Sequence, residues 1–217
     1  MKKVLLTAGL LALATVAGAK SFDGIYVGAK ASYMPSFMNS DANYSFANST
    51  AGQDVDLNYW EGDLLLGQWF QTGDWNWAVE GNVGRGITGS ESTKTITGTT
   101  TKIKTSRGFK IGAAGRLGQT VGNDILVYGR LGFQGSQFQS KLSYTGATTG
   151  SKSMNFFSWA IAPGAGVEWA FADNMTARFE YIYEYSLNKT STKAANTTVS
   201  LKNPQINILS LGVSYAL

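Results

Sequence analysis

Between Gly164 and Tyr185 both faces of one extended stretch are specialised at once, and this alternation limits what the chain can become. Ala177, Phe179, Tyr181, Tyr183, Tyr185 and Leu187 share one parity, while Thr176, Arg178, Glu180, Ile182, Glu184 and Ser186 share the other. Successive side chains of a strand point to opposite faces, so one row is aromatic and the other charged. On the preceding segment Trp159, Ile161, Ala165, Val167 and Trp169 share a parity, and Glu168 takes the opposite one. A soluble hairpin turns its apolar face to a core and its polar face to water. An aromatic row facing lipid and a charged row facing a closed interior instead define a strand of a transmembrane β-barrel. Ala172-Asp173-Asn174 between the two runs supplies the short polar turn that a hairpin needs.

The same rule predicts strands near Ile25 to Tyr33, Tyr59 to Phe70, Trp77 to Ile87, Arg107 to Gly118 and Ile125 to Ser136, and a last one ending at Leu217. Four tracts rich in Ser, Thr, Asn, Gly and Lys read as long loops: Ser36 to Asp56, Thr88 to Lys104, Gln139 to Asn155 and Asn188 to Pro204. They alternate with short turns at Thr72-Gly73-Asp74, Gln119 to Asp124 and Ala172 to Asn174, as extracellular loops alternate with periplasmic turns in outer-membrane barrels. The expected fold is therefore all-β: an antiparallel up-and-down transmembrane barrel of about eight strands. Arg85 falls on the lipid parity of its strand, which places it either at headgroup level or after a bulge that shifts the register.

Lys2 and Lys3, the apolar run Val4 to Val16 and the small residues Ala17 and Ala19 make a cleavable leader. The expected division is a signal peptide at 1–19 and a barrel domain at 20–217, with no peptidoglycan-binding domain after it. The apolar run is shorter than the roughly 20 residues a spanning helix needs. Mean hydropathy is −0.09, which is compatible with a membrane barrel because alternating strands average out. Cysteine is absent, so closure of the sheet rather than disulfides must stabilise the protein. The formal net charge of +4 is too small to point to nucleic acid.

The interior parity collects Lys30, Lys110, Arg116, Arg130 and Arg178 with Glu61, Asp63, Glu80, Glu168, Glu180 and Glu184. Eight strands enclose a space just wide enough for their own side chains, so these groups have to pair with one another. Arg178 and Glu180 point the same way on one strand, with Glu168 and Arg130 as partners on neighbouring strands. Six acids and five bases on that face also argue against a soluble sandwich or a lipocalin-like barrel, whose interior face is apolar. Two nearby carboxylates resemble a catalytic acid and base, but a structural ion network accounts for them as well. Histidine is absent from all 217 residues, which removes the usual base of hydrolytic catalysis. Neither an enzyme, nor a cofactor, nor a metal site is expected. Lys94, Lys102, Lys104, Lys141, Lys152, Lys189, Lys193 and Lys202 make the loop side basic, suited either to lipopolysaccharide phosphates and host polyanions or simply to solvent.

The run Gly-x-Gly-x-Glu-aromatic-Ala-Phe-x-Asp-Asn from Gly164, then Ala-Arg-x-Glu-Tyr from Ala177, resembles the penultimate hairpin of the small OmpA-like outer-membrane barrels of Gram-negative bacteria. Members of that family serve as wall-linked stabilisers, adhesins, porin-like surface antigens and narrow channels. The resemblance implies residence in the outer membrane, among its lipid and lipopolysaccharide. It also implies escort by periplasmic chaperones and insertion by the barrel-assembly machinery, which reads the last strand at Leu209, Leu211, Val213, Tyr215 and Leu217. The family usually closes on an aromatic residue, and Leu217 departs from that. Two functions follow as expectations. One is a structural, surface-exposed barrel that supports the envelope and displays four long extracellular loops to host surface molecules. The other is a narrow porin-like channel for ions or small solutes.

Overall fold

A computed structural model of the protein describes residues 22–35, 59–96, 99–145, 149–188, 190–194, 197–201 and 205–217. Its strands are β1 (Gly24–Met34), β2 (Tyr59–Thr72), β3 (Trp75–Gly86), β4 (Gly89–Ile96), β5 (Thr99–Val121), β6 (Ile125–Thr145), β7 (Gly150–Ala172), β8 (Met175–Ser186), β9 (Thr190–Ala194), β10 (Thr197–Leu201) and β11 (Gln205–Ala216). β3 and β4 pair with successive parts of β5, so together they form one stave interrupted at Ile87 and Thr88. β1 pairs with β2 on one side and β11 on the other, which closes the sheet into an antiparallel barrel of eight staves. β9 and β10 form a separate two-stranded hairpin. Closure leaves no unpaired edge in the hydrocarbon, the condition for any sheet that crosses a membrane.

Three of the four tracts read as loops hold strand. Residues 88–104 hold β4 and the start of β5, and within 139–155 β6 continues to Thr145 and β7 begins at Gly150. The tract 188–204 contains β9 and β10. The tract 36–56 and the leader, with Ala17 and Ala19, lie outside the described residues. The reason for the correction is physical. Beyond the bilayer neither face of a hairpin has to be apolar, so paired strands there lose the alternation that reveals them in the sequence. Their abundant β-branched threonine still favours extended backbone.

Alternation sorts the barrel wall cleanly. Outward positions include Leu64, Leu66, Val79, Leu117, Leu131, Val167, Phe179 and Leu211, all exposed. Aromatic pairs edge this band. Phe70 stacks on Trp77 at 4.1 Å beside the short turns, and Tyr33 meets Trp60 at 4.8 Å on the loop side. Rings at both borders are the interfacial girdles of membrane barrels. On β8, Arg178, Glu180 and Glu184 are buried while Phe179, Tyr181 and Tyr185 are exposed. Spin labels at Phe179 and Tyr181 in bilayers are therefore expected to contact a lipid-soluble quencher, and one at Glu180 to be shielded from it. The reverse pattern would refute this orientation.

Candidate functional site: the charged lumen

A strand that alternates against lipid must send its polar row into the barrel, and eight staves converge on little space. Lys30, Glu61, Asp63, Glu80, Lys110, Arg116, Arg130, Glu168, Arg178, Glu180 and Glu184 lie there, none more than 6% exposed. Arg107 joins them at 2%. Among the described residues the lumen thus holds six buried cations and six buried anions.

At the turn side the network is tightest. Glu80 Oε2 accepts hydrogen bonds from Arg178 Nη1 at 2.6 Å, from Tyr26 Oη at 2.8 Å and from Arg116 Nη2 at 3.0 Å. Arg116 Nη1 reaches Glu168 Oε2 at 2.8 Å, and Arg178 Nη2 donates to Ser214 Oγ at 2.7 Å. The Arg116 guanidinium also lies 4.4 Å from the Trp69 ring centre and 5.2 Å from that of Tyr128. Tyr26, Trp69, Glu80, Arg116, Tyr128, Glu168, Arg178 and Ser214 come from eight different staves, so this one cluster ties the whole circumference together. Glycine makes room for it: a Cβ at Gly166 would stand 2.7 Å from the Tyr128 ring, and one at Gly67 would overlap Tyr26. Beneath the cluster, Phe22, Trp69, Ala78, Leu126 and Ala170 close the turn side with apolar packing.

Toward the loops the pairs change. Glu180 accepts from Tyr128 Oη at 3.0 Å, while Lys30 and Arg130 stand off at 3.5 and 3.7 Å. Next, Lys110 bridges Glu61 and Asp63, the latter at 2.9 Å, and Asn82 donates to Asp63 at 3.3 Å. Arg107 then joins Glu61 at 3.2 Å and Glu184 at 2.7 Å, with Phe138 under its guanidinium at 5.4 Å. Buried Met34, Tyr59, Phe138 and Ile206 continue the filling on the loop side.

Of the charges on other strands expected to complete a network around Arg178 and Glu180, Arg130 meets Glu180, while Glu168 turns to another cation and Arg178 to another anion. Arg178 takes Glu80, Glu168 takes Arg116, and Arg130 takes Glu180. Parity tells which residues face inward, but the tilt of the staves decides which levels meet across the lumen. Arg107 escaped the reading of the sequence because it has lipid parity within its strand. The β5–β6 register shifts between Arg107 and Lys110, and this bulge turns Arg107 inward. Gly108 beside it is the only local signal. By contrast the registers of β3 run unbroken through Arg85, which stays outward.

Of the last-strand residues, Leu211, Val213 and Leu217 are exposed and Leu209 and Tyr215 partly so. Lys102, Lys104 and Lys141 are exposed, and the side chains of the other loop lysines lie outside the described residues. Among the described residues no group of three or more His, Cys, Asp or Glu is placed to hold a metal ion.

A closed eight-stave barrel with an aromatic-edged apolar exterior and an ionic interior is an integral outer-membrane protein by construction. The model of the outer membrane protein beta-barrel domain matches residues 4–216, and the chain belongs to that family. Solved structures share the fold. A major outer membrane protein of Thermus thermophilus is 9% identical with a TM-score of 0.54, over 88% of this chain and 99% of its own. The outer membrane protein OprG of Pseudomonas aeruginosa is 16% identical with a TM-score of 0.50, over 92% and 99%. Neisserial surface protein A is 19% identical with a TM-score of 0.43, over 89% and 97%. A search of curated proteins finds no match.

Proposed function

We propose that this protein is a structural, surface-exposed barrel that does not conduct and does not catalyse, anchoring hairpins on the outer face of the cell envelope. The observation that carries the reading is the balance of six buried cations and six buried anions across a lumen only eight staves wide. The absence of histidine from the sequence supports the lack of hydrolytic turnover. Adhesion to host surface molecules, through the hairpins of β4, β5, β6 and β7, fits the same reading. So do escort by periplasmic chaperones and insertion by the assembly machinery.

A narrow channel is the second reading, and one layer favours it. Arg130 pairs with Glu180 only at 3.7 Å, and its Nη1 and the Nε2 of Gln134 have no hydrogen-bond partner. Planar-bilayer recording of the refolded protein separates the two. The parent is expected to be near silent, while Arg178→Ala is expected to conduct more and to unfold at a lower temperature. Stable open-channel currents in the parent, unchanged by Arg178→Ala, would sink the structural reading.

A further inference from the structure

The buried charges balance over the whole lumen but not level by level. On the turn side Arg116 and Arg178 meet Glu80 and Glu168, two against two. On the loop side Arg107 and Lys110 bridge Glu61, Asp63 and Glu184, two against three. Between these levels Lys30 and Arg130 share the carboxylate of Glu180, at 3.5 and 3.7 Å, which leaves one surplus positive charge. Asp63 stands in register with Lys30 but is held by Lys110 and Asn82. Arg130 is the worse placed of the two cations. Its register neighbours are Gly164 on β7 and Arg116 on β5, a like charge directly opposite. Its guanidinium lies over Gly132, where a Cβ would stand 3.2 Å from Nη1 and 3.3 Å from Nη2, and so runs along β6 toward Gln134. Gly132 sits between Ala114 and Ala162, so the wall at this level is lined by small residues. Nη1 of Arg130 and Nε2 of Gln134 are buried N–H groups without a hydrogen-bond acceptor.

We infer that the lumen binds one monovalent anion of chloride size at this level, between the Arg130 guanidinium and the Gln134 amide, as a fixed part of its filling. Charge sets the valence. A buried cation without full compensation is strongly unfavourable, and one halide cancels the single surplus, whereas a phosphate would overshoot it. The donors set the chemistry. Guanidinium and amide N–H groups beside alanine and glycine suit a halide, which needs only donors around it. Water would accept from both groups but leave the charge uncompensated. The loop-side carboxylates do not answer it either, because Lys110 and Arg107 already bridge all three. Anion binding here is independent of whether the lumen conducts, which bilayer currents test separately.

The test uses the refolded full chain in detergent, with chloride exchanged for the bulky anion gluconate at constant ionic strength and thermal unfolding as the readout. A ligand that binds only the folded state stabilises it in proportion to the logarithm of its concentration once the site fills. The unfolding temperature of the parent should therefore rise steadily with chloride. Gln134→Glu sets a carboxylate beside the guanidinium in place of the anion, so it should abolish the chloride response and unfold at a higher temperature than the parent in gluconate. Gln134→Leu keeps the surplus charge and removes one donor, so its response should persist but need more chloride. Heat-modifiable migration on gels shows that each variant has folded. In crystals grown with bromide, an anomalous peak should lie between Arg130 and Gln134 in the parent and be lost in Gln134→Glu. Equal unfolding temperatures of the parent in chloride and gluconate, a chloride response that Gln134→Glu retains, or a parent crystal without bromide at this level overturns the inference.

Discussion

Glu80→Ala is expected to destabilise the barrel by about 3–5 kcal/mol, the usual cost of removing one partner from a buried ion network. Oε2 of Glu80 alone receives Arg116, Arg178 and Tyr26, each within 3.0 Å. Its removal leaves two guanidinium groups sharing one apolar-walled level of the lumen. Arg116 keeps Glu168, but Arg178 keeps only the neutral Ser214 hydroxyl there. The variant should show a large fall in the urea midpoint for unfolding from lipid bilayers. Replacing the pair together, as Glu80→Leu with Arg178→Leu, removes both charges and should recover much of the loss, because buried ion pairs often exchange for apolar groups at little net cost. A loss below about 1 kcal/mol for Glu80→Ala, the scale of an exposed pair, would mean that water fills the lumen and screens it.

This network shows which parts of the molecule were legible from residues alone. Inward and outward rows on β8 and β11 could be assigned because the bilayer forces one face of every spanning strand to be apolar. That constraint ends at the aromatic edges, so β4 and the distal parts of β5, β6 and β7 carried no pattern and passed for loops. It also fails at a bulge. Arg107 and Arg85 break parity in the same way, yet one is buried with Glu61 and Glu184 while the other faces lipid. Local sequence does not separate the two cases, because the difference lies in the pairing of β5 with β6. Partners across the lumen were out of reach for a related reason. Glu80 on β3 and Arg178 on β8 lie on staves separated by β2, β1 and β11, and they meet only once the barrel has closed with its particular stagger.

Leu211→Arg is expected to cost about 2–4 kcal/mol of folding free energy in bilayers, the measured scale for a basic residue at mid-membrane on a barrel's lipid face. Leu211 is 65% exposed and sits mid-strand on β11, between Ala31 of β1 and Phe179 of β8. Two neighbouring substitutions isolate the cause. Tyr215→Asp lies beside the short turns, opposite Val27 and Met175, where a charge costs only about 0–1 kcal/mol. Ser214→Asp points into the lumen, where Arg178 Nη2 already donates to the serine at 2.7 Å, so the new carboxylate meets a cation. Folding into pure lipid should therefore rank Leu211→Arg far below Tyr215→Asp, with Ser214→Asp nearest the parent. Cells add a second reading of the same strand. If Leu209, Leu211, Val213, Tyr215 and Leu217 are recognised by the assembly machinery, Tyr215→Asp should lose much more yield in the outer membrane than it loses in pure lipid. Equal folding of all three variants in lipid would contradict the outward placement of Leu211. A cellular yield for Tyr215→Asp that merely tracks its folding in lipid would remove the case for recognition, because lipid energetics alone would then account for the row.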